Sequence, residues 1–191
     1  MSDISGVAGQ EFHNKNFNYE ELEGGEYENC TFENCVFSGV DLSGIRFIEC
    51  VFDNCDLTNA KILDTGFRGV QFMGCKMMGL QFEMCNTLLF DAFFRKCQLN
   101  LCSFYQCKLR KFSFVNCGLN ESDFSEADLT EANFSYCDLH NVTFDNSILI
   151  KTDFTTAQNY AFDPDKNQVK GARFSKAGIA GLLEKYQIVV K

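Results

Sequence analysis

Bulky apolar residues recur at every fifth position along most of the chain. In the stretch CVFDNCDLTNAKILDTGFRGVQFMGCKM, residues 50–77, these residues are Phe52, Leu57, Ile62, Phe67, Phe72 and Met77. We call each of them a centre. Centres follow this step from Phe12 to Phe82 and, after a slip of two residues, from Leu89 to Phe154. A step of five fits neither the helical period nor the simple strand period, so the pattern indicates a repeat of five-residue units.

Each unit has room for a short strand and a sharp corner. In an extended segment residues two apart share a face, so the centre and the small residue two positions before it point inward together. The remaining residues form the corner, and many of them are Asn or Gly, such as Asn34, Gly39 and Asn54, which tolerate tight turns. Short strands joined by such corners wind into a solenoid.

The number of walls follows from every fourth unit. One series of centres contains only phenylalanine: Phe12, Phe32, Phe52, Phe72, Phe94, Phe114, Phe134 and Phe154. The small inward position of the next wall is cysteine in six successive coils. The sequence therefore predicts an all-β solenoid, a quadrilateral β-helix of about seven coils over residues 10–157. It also predicts a short N-terminal segment, 1–9, and a two-residue bulge near residues 83–91.

All cysteines occupy the small inward position. They are Cys30, Cys35, Cys50, Cys55, Cys75, Cys85, Cys97, Cys102, Cys107, Cys117 and Cys137. Stacked parallel strands hold equivalent Cβ atoms ~4.8 Å apart, beyond the ~3.8 Å typical of a disulfide, and a straight ladder does not converge on a tetrahedral zinc ion. We interpret them as core-filling thiols and expect no metal and no cofactor.

The last segment, residues 158–191, differs from the repeat. Ser175 is a plausible N-cap, and Ile179, Leu182, Leu183 and Tyr186 follow helical spacing before the run QIVV. This pattern predicts a helix and a short final strand. The segment is either a monomeric cap or the contact of a homodimer, and its apolar face favours the dimer.

Charge and composition limit the possible partners. The chain has 191 residues and a net charge of −9, which disfavours nucleic-acid binding. The sequence shows neither a signal peptide nor an apolar membrane span, so we expect a cytoplasmic protein without a membrane partner. It contains no catalytic constellation or phosphate-binding loop, so we do not expect an enzyme.

One wall is the most acidic. Its carboxylates are Glu21, Glu23, Asp41, Asp64, Glu83, Asp123, Glu126 and Asp145. A surface that carries charge of one sign attracts basic partners over long range. In a second interpretation, these charges only keep the protein soluble. A basic cluster interrupts two other walls at Arg95, Lys96, Lys108, Arg110 and Lys111.

The repeat resembles a known family. SDFSEADLTEANFSYCDL, residues 122–139, is similar to the motif of the pentapeptide-repeat family, which implies a right-handed quadrilateral β-helix. The tail DPDKNQVKGARFSKAGIAGLLEKYQIVVK resembles the tail of the quinolone-resistance (Qnr-type) and self-immunity branch. That resemblance implies a homodimer through the C-terminus and a DNA-mimic rod that binds DNA gyrase or topoisomerase IV and protects them against topoisomerase poisons. The long projecting loops of many Qnr-type rods are missing here.

A second hypothesis places the contact at the bulge. Outward or corner positions near it hold the apolar residues Met73, Met78, Met84 and Phe90. Dense exposed apolar groups mark contact surfaces, unless the bulge folds them inward. In this hypothesis the protein is a pentapeptide-repeat scaffold that binds another protein and has no topoisomerase role.

Overall fold

Parallel strand pairs between successive coils organise the chain into a four-walled β-solenoid. A computed structural model describes residues 6–22 and 25–189. The strands are β1 Gly6–Ala8, β2 Glu11–His13, β3 Glu26–Glu28, β4 Thr31–Glu33, β5 Arg46–Ile48, β6 Val51–Asp53, β7 Gly66–Met73, β8 Phe90–Arg95, β9 Ser113–Val115, β10 Asp153–Phe154 and β11 Arg173–Phe174. Short 3-10 helices span Phe82–Met84, Thr87–Leu89, Pro164–Lys166, Gly178–Leu182 and Glu184–Tyr186. In the described part of the chain no helix has the length and apolarity to cross a bilayer.

The walls are labelled A to D in chain order. Wall A contains β1, β3 and β5, wall B contains β2, β4 and β6, and β7 bends around the corner and belongs to both. Within walls C and D, successive coils are joined by single bridges, such as Val36 to Asp56 on wall C and Asp41 to Lys61 on wall D. The predicted all-β solenoid is confirmed, with about eight coils in place of the expected seven. The difference arises because β1 pairs with β3 and β11 pairs with β10, so the ladder extends beyond residues 10–157 at both ends.

Phenylalanine rings fill the interior. Along wall B each ring stacks on the ring of the next coil, from Phe12 on Phe32 at 4.7 Å to Phe154 on Phe174 at 5.4 Å. Rings of walls B and D meet edge to face, as Phe104 and Phe114 do at 5.8 Å. This offset and edge-to-face geometry is the favoured arrangement of aromatic pairs, so the centres build one continuous core.

The small inward residues bond to the coil before them. The Cys75 thiol donates to the Phe52 carbonyl at 3.2 Å, and the Thr65 hydroxyl donates to the Leu42 carbonyl at 2.8 Å. All eleven cysteines are buried and free. Burial raises the pKa of Cys50 to about 11 and that of Cys107 to about 12, so these thiols stay protonated at neutral pH. The thiols fill the core, and most of them donate hydrogen bonds to backbone carbonyl groups.

The corner residue two positions after a centre has a left-handed backbone. Its φ is 53° at Asn34 and 69° at Gly39, but also 61° at Leu101 and 58° at Glu126. At Gly74 the space for a side chain is also restricted, because a Cβ there would lie 2.5 Å from Oδ1 of Asn54 in the preceding coil. The corner geometry is therefore common to residues with very different intrinsic tolerance for it.

One coil is longer than the others. Phe67 pairs with Phe90, 23 residues later, and Val70 pairs with Ala92, 22 residues later. The register shift leaves Gly69 of β7 without a partner in that ladder. The extra length lies in the segment with the two 3-10 helices, and the net slip after it is two residues.

The C-terminal prediction needs correction. The expected helix is absent, and residues 178–186 form two 3-10 helices. Ser175 still accepts a hydrogen bond from the Gly178 N–H at 2.9 Å. The segment lies directly on the last coil, because a Cβ at Gly181 would be 1.9 Å from the Tyr160 carbonyl oxygen. Gln187 has a left-handed backbone and Gln187–Val189 forms no strand, while Val190 lies outside the described residues.

Candidate partner-binding surfaces

Wall D and its corners bring together most of the predicted acidic residues. Asp41 and Asp123 occupy equivalent outward positions on this wall, in the bridges to Lys61 and Ser103. Glu21, Asp64, Glu83, Glu126 and Asp145 lie next to wall D centres or at the corner that follows them. Glu23 lies outside the described residues. The carboxylates follow the rod before and after the wall D centres, and the coil of Phe104 has none beside its centre.

Two of these carboxylates also hold the backbone. Asp41 Oδ1 accepts from the Ser43 N–H at 3.0 Å, and Asp123 Oδ1 accepts from the Ser125 N–H at 2.8 Å. Such Asx turns satisfy a backbone donor at the corner. The hydrogen bonds from Ser43 hold the pKa of Asp41 below its usual value. These residues combine a surface charge with a role in the fold.

Neighbouring coils compensate part of the acidic charge. Lys61 Nζ lies 4.0 Å from Asp41, and Lys166 Nζ lies 3.8 Å from Asp145. Glu126 accepts hydrogen bonds from Tyr105 and Gln106, which leaves its charge in place. Because these ion pairs are exposed, they are weak and rearrange easily when a stronger basic partner approaches.

Two carboxylates near the longer coil, Asp64 and Glu83, have no ion-pair partner within 4.0 Å among the described residues. Asp64 Oδ1 accepts from the Asn86 side-chain amide at 2.8 Å. One carboxylate oxygen of Glu83 is buried without a hydrogen-bond partner in the part of the chain that the structure describes. The buried oxygen makes Glu83 less available to a partner, whereas Asp64 remains exposed.

The four predicted dimer residues differ in exposure. Leu182 is buried in its own chain, Leu183 is half-buried, and Ile179 and Tyr186 are 49% and 58% exposed. Ile188 and Val189, in the run QIVV that follows the four residues, are exposed as well. Lys185 bonds to Asp163 and Asp165 and fastens the segment to the last coil.

The four apolar residues of the second hypothesis lie apart. Met73 lies on wall B, Met78 on wall C, and Met84 beside wall D. Phe90 packs inward, with its ring 5.4 Å from Phe82 and 5.2 Å from Phe112. The most exposed apolar residue nearby is Leu88, at the tip of the longer coil. These four side chains do not make one patch.

A groove of about 710 Å³ lies at the corner between walls B and C. Arg95 and Lys96 of the basic cluster line it together with Met73, Val115 and Tyr136. The sequence shows the basic cluster and the nearby Met73. It does not show that Arg95, Lys96 and Met73 meet at one corner.

Comparisons with known proteins agree with the repeat. A family model described as the pentapeptide repeat region matches residues 25–90, 45–124 and 86–154. No curated protein sequence matches the chain. Among solved structures, the chain is similar to QnrB1, a plasmid-mediated fluoroquinolone resistance protein, with 23% identity, coverage of 98% of this chain and 100% of that chain, and a TM-score of 0.49.

A second solved structure is HetL, a pentapeptide repeat protein involved in heterocyst differentiation regulation from the cyanobacterium Nostoc. Its identity is 17%, with 88% of this chain and 86% of that chain covered and a TM-score of 0.52. At these identities the likeness concerns the fold. The family match over more than half of the chain, together with the four-walled coil, shows that the chain belongs to the pentapeptide repeat proteins.

Proposed function

We propose that this pentapeptide repeat scaffold is a dimeric DNA mimic that binds a type II topoisomerase, DNA gyrase or topoisomerase IV, and reduces the effect of topoisomerase poisons such as quinolones. The observation that carries the proposal is the line of carboxylates along wall D. The resemblance of the C-terminal tail to the Qnr-type branch supports the choice of partner.

How closely wall D imitates DNA depends on its number of negative charges per unit length. About eight coils at a spacing of ~4.8 Å make a rod of ~38 Å, over which a DNA duplex carries about 22 phosphate charges. Wall D offers seven described carboxylates in that length. The rod is therefore a sparse mimic, and its charge acts mainly by steering the protein towards a basic DNA-binding surface.

Dimerisation would extend the acidic line. Ile179, Leu183, Tyr186, Ile188 and Val189 present apolar surface at the end of the last coil, and a second copy placed against it by a two-fold axis would bury that surface. The combined rod would be about twice as long, which suits a partner whose own DNA-binding surface is two-fold symmetric. In this proposal the buried Leu182 supports the contact from beneath.

The experiment separates charge from fold. Gyrase supercoiling is measured with and without ciprofloxacin in the presence of wild-type protein and of the combined variant Glu21→Gln, Asp41→Asn, Asp123→Asn and Glu126→Gln. Asn keeps the oxygen that accepts the Asx-turn hydrogen bond, so the corners remain intact. We expect the wild type to restore supercoiling or to inhibit it, and the variant to lose most of that effect.

A matched control removes four charges from other walls. Glu28→Gln, Asp56→Asn, Asp128→Asn and Glu131→Gln include two carboxylates that hold equivalent Asx turns. This variant should behave as the wild type does. If the wild type neither inhibits nor rescues gyrase or topoisomerase IV at micromolar concentration, or if both variants lose the effect equally, the proposed mechanism is wrong.

The second candidate function is a scaffold for another protein near the longer coil. Leu63, Met84 and Leu88 are exposed by 55%, 44% and 93%, which favours a protein contact there. Changing Met84 and Leu88 to Ser would weaken such a contact and leave any effect on topoisomerase unchanged.

A further inference from the structure

Unpaired basic side chains concentrate in the middle of the rod. In residues 6–22 and 25–189, eight Lys or Arg side chains make ion pairs with carboxylates within 4.0 Å. The remaining bases between residues 66 and 111 have no such pair: Arg68, Lys76, Arg95, Lys96, Lys108 and Lys111. Elsewhere in that range of the structure only Lys170 and Lys176 share this state. Positive charge without a carboxylate within 4.0 Å is available to an acidic partner.

Two of these bases line the groove between walls B and C. The strand register aligns Asp53, Met73, Arg95 and Val115 in one outward row over four coils. At ~4.8 Å per coil this row is ~14 Å long. Along the rod the groove therefore presents Asp53, then Met73, then the basic pair Arg95 and Lys96, and then Val115.

Gly74 opens the groove on its corner side. The corner row runs through Asn54, Gly74, Lys96, Asn116 and Tyr136, and only Gly74 lacks a side chain. Its left-handed backbone and the close approach of Asn54 both favour glycine there. In the outward row, Met73 and Val115 lie on either side of Arg95 and are half-buried, and Tyr136 is 66% exposed.

Arg95 is oriented without being neutralised. Its guanidinium lies 5.6 Å from the centre of the Phe93 ring, a cation–π contact. An aromatic face restrains the side chain and leaves its planar hydrogen-bond donors free for a carboxylate. Because the Arg95 side chain is already restrained, it loses little conformational entropy when an anion binds to it.

We propose that this groove binds an extended acidic segment of a partner protein, with a carboxylate at Arg95 and Lys96 and an apolar side chain against Met73 and Val115. About four extended residues at ~3.3 Å each match the ~14 Å row. A free anion would leave the apolar lining unused. A DNA duplex would also bring its phosphates towards the carboxylates of neighbouring walls, which a short peptide lying in the row would not reach. The groove is on walls B and C, so the inference stands apart from the acidic wall D and from any topoisomerase.

The test uses a fluorescein-labelled peptide, Glu-Asp-Leu-Glu-Phe-Asp-Glu, and full-length protein, with binding followed by fluorescence anisotropy at 30 and 300 mM NaCl. We expect saturable binding at low salt and weaker binding at high salt. The combined variant Arg95→Glu and Lys96→Glu should weaken binding by about tenfold or more. Its matched control, Lys170→Glu and Lys176→Glu, reverses two unpaired bases elsewhere and should change binding by less than about twofold.

The apolar lining is tested separately. Met73→Ser should weaken the peptide containing Leu and Phe by several fold and leave a peptide with Gly at both positions unaffected. Circular dichroism of each variant verifies the fold. The proposal is overturned if the peptide does not bind at 1 mM protein and low salt, if a charge-reversed Lys/Arg peptide binds equally well, or if both charge variants lose binding equally. It is also overturned if a 20-base-pair DNA duplex, and not the peptide, binds in an Arg95-dependent manner.

Discussion

The coils before the longer coil and the coils after it solve the same corner in different ways. Before it, the left-handed corner positions are mostly Asn or Gly, and walls A and B carry three-residue strands. After it, the corner positions include Leu101, Lys111, Glu126, Glu131 and Tyr136, and most contacts are single bridges. The period of five and the aromatic core continue through both regions. The same repeat geometry is therefore built with two different sets of corner residues.

Hydrogen bonds support corners in both regions, and in the second region they often do so at corner residues other than Asn and Gly. Most corners of the second region close with a bond from the small residue to its preceding centre, such as Ala127 N–H to the Phe124 carbonyl at 3.1 Å. The first region makes the same bond on walls C and D, as Ile45 N–H does to the Leu42 carbonyl at 3.1 Å. An Asp or Asn before the centre also accepts from the residue after it, as Asp123 does from Ser125. These Asx turns support the left-handed Glu126 and Glu131, where glycine is absent. Leu101 and Lys111 lack such an acceptor, since Gln98 and Lys108 occupy that position.

The largest effect should come from the core that both regions share. Phe52→Ala and Phe114→Ala each remove a fully buried ring from the wall B stack and should each lower the free energy of unfolding by about 3–5 kcal/mol. Urea denaturation followed by circular dichroism measures this change. A single transition that shifts equally in both variants would indicate one cooperative core, whereas two separate transitions would show that the regions unfold independently.

A smaller effect should distinguish the corners on wall D. Asp123→Ala removes the acceptor that supports Glu126, while Asp41→Ala removes the equivalent acceptor before Gly44. The first change should cost about 1 kcal/mol and the second less, because glycine adopts the left-handed backbone unaided. Asp123→Asn, which retains the acceptor, is the control in the same denaturation experiment. Equal losses at both sites would contradict the account of the two regions.

An unsupported corner should gain from the residue type of the first region. Leu101→Asn replaces an exposed side chain with φ 61° by the residue that the earlier coils use, and should stabilise the protein by about 1 kcal/mol. The reverse change, Asn59→Leu, should cost a similar amount. If Leu101→Asn has no effect on the unfolding midpoint, left-handed strain does not separate the two regions.

The smallest effect concerns the first coils. Hydrogen bonds to Glu11 and to Glu33 raise the pKa of His13, so the protonated ring links β2 to β4. The contribution of this link is complete below the ordinary histidine pKa of about 6.5 and is lost as the pH rises through the raised value. An NMR titration of His13 should give a midpoint above 6.5, and Glu33→Gln should lower it. A midpoint at or below 6.5 in the wild type would exclude this link.

The C-terminal segment shows where the period stops being informative. Ile179, Leu182, Leu183 and Tyr186 have helical spacing, yet the segment forms 3-10 helices. Gly178 and Gly181 permit an approach to Tyr160 closer than any Cβ allows, so packing against the last coil decides the conformation. Spacing alone contains no information on that contact.

The amino-acid sequence determined the period of five, the four walls, the phenylalanine stack and the buried thiols. These follow from inward positions that repeat every five residues along the chain and every coil across it, so a pattern in one dimension is sufficient. The tertiary structure decided which acidic residues share charge with Lys61 and Lys166, why Phe90 turns inward, and how Gly74, Arg95 and Val115 meet at one groove. Those features depend on side chains from different coils, about 20 residues apart, and on the exact stacking that places one corner over the next.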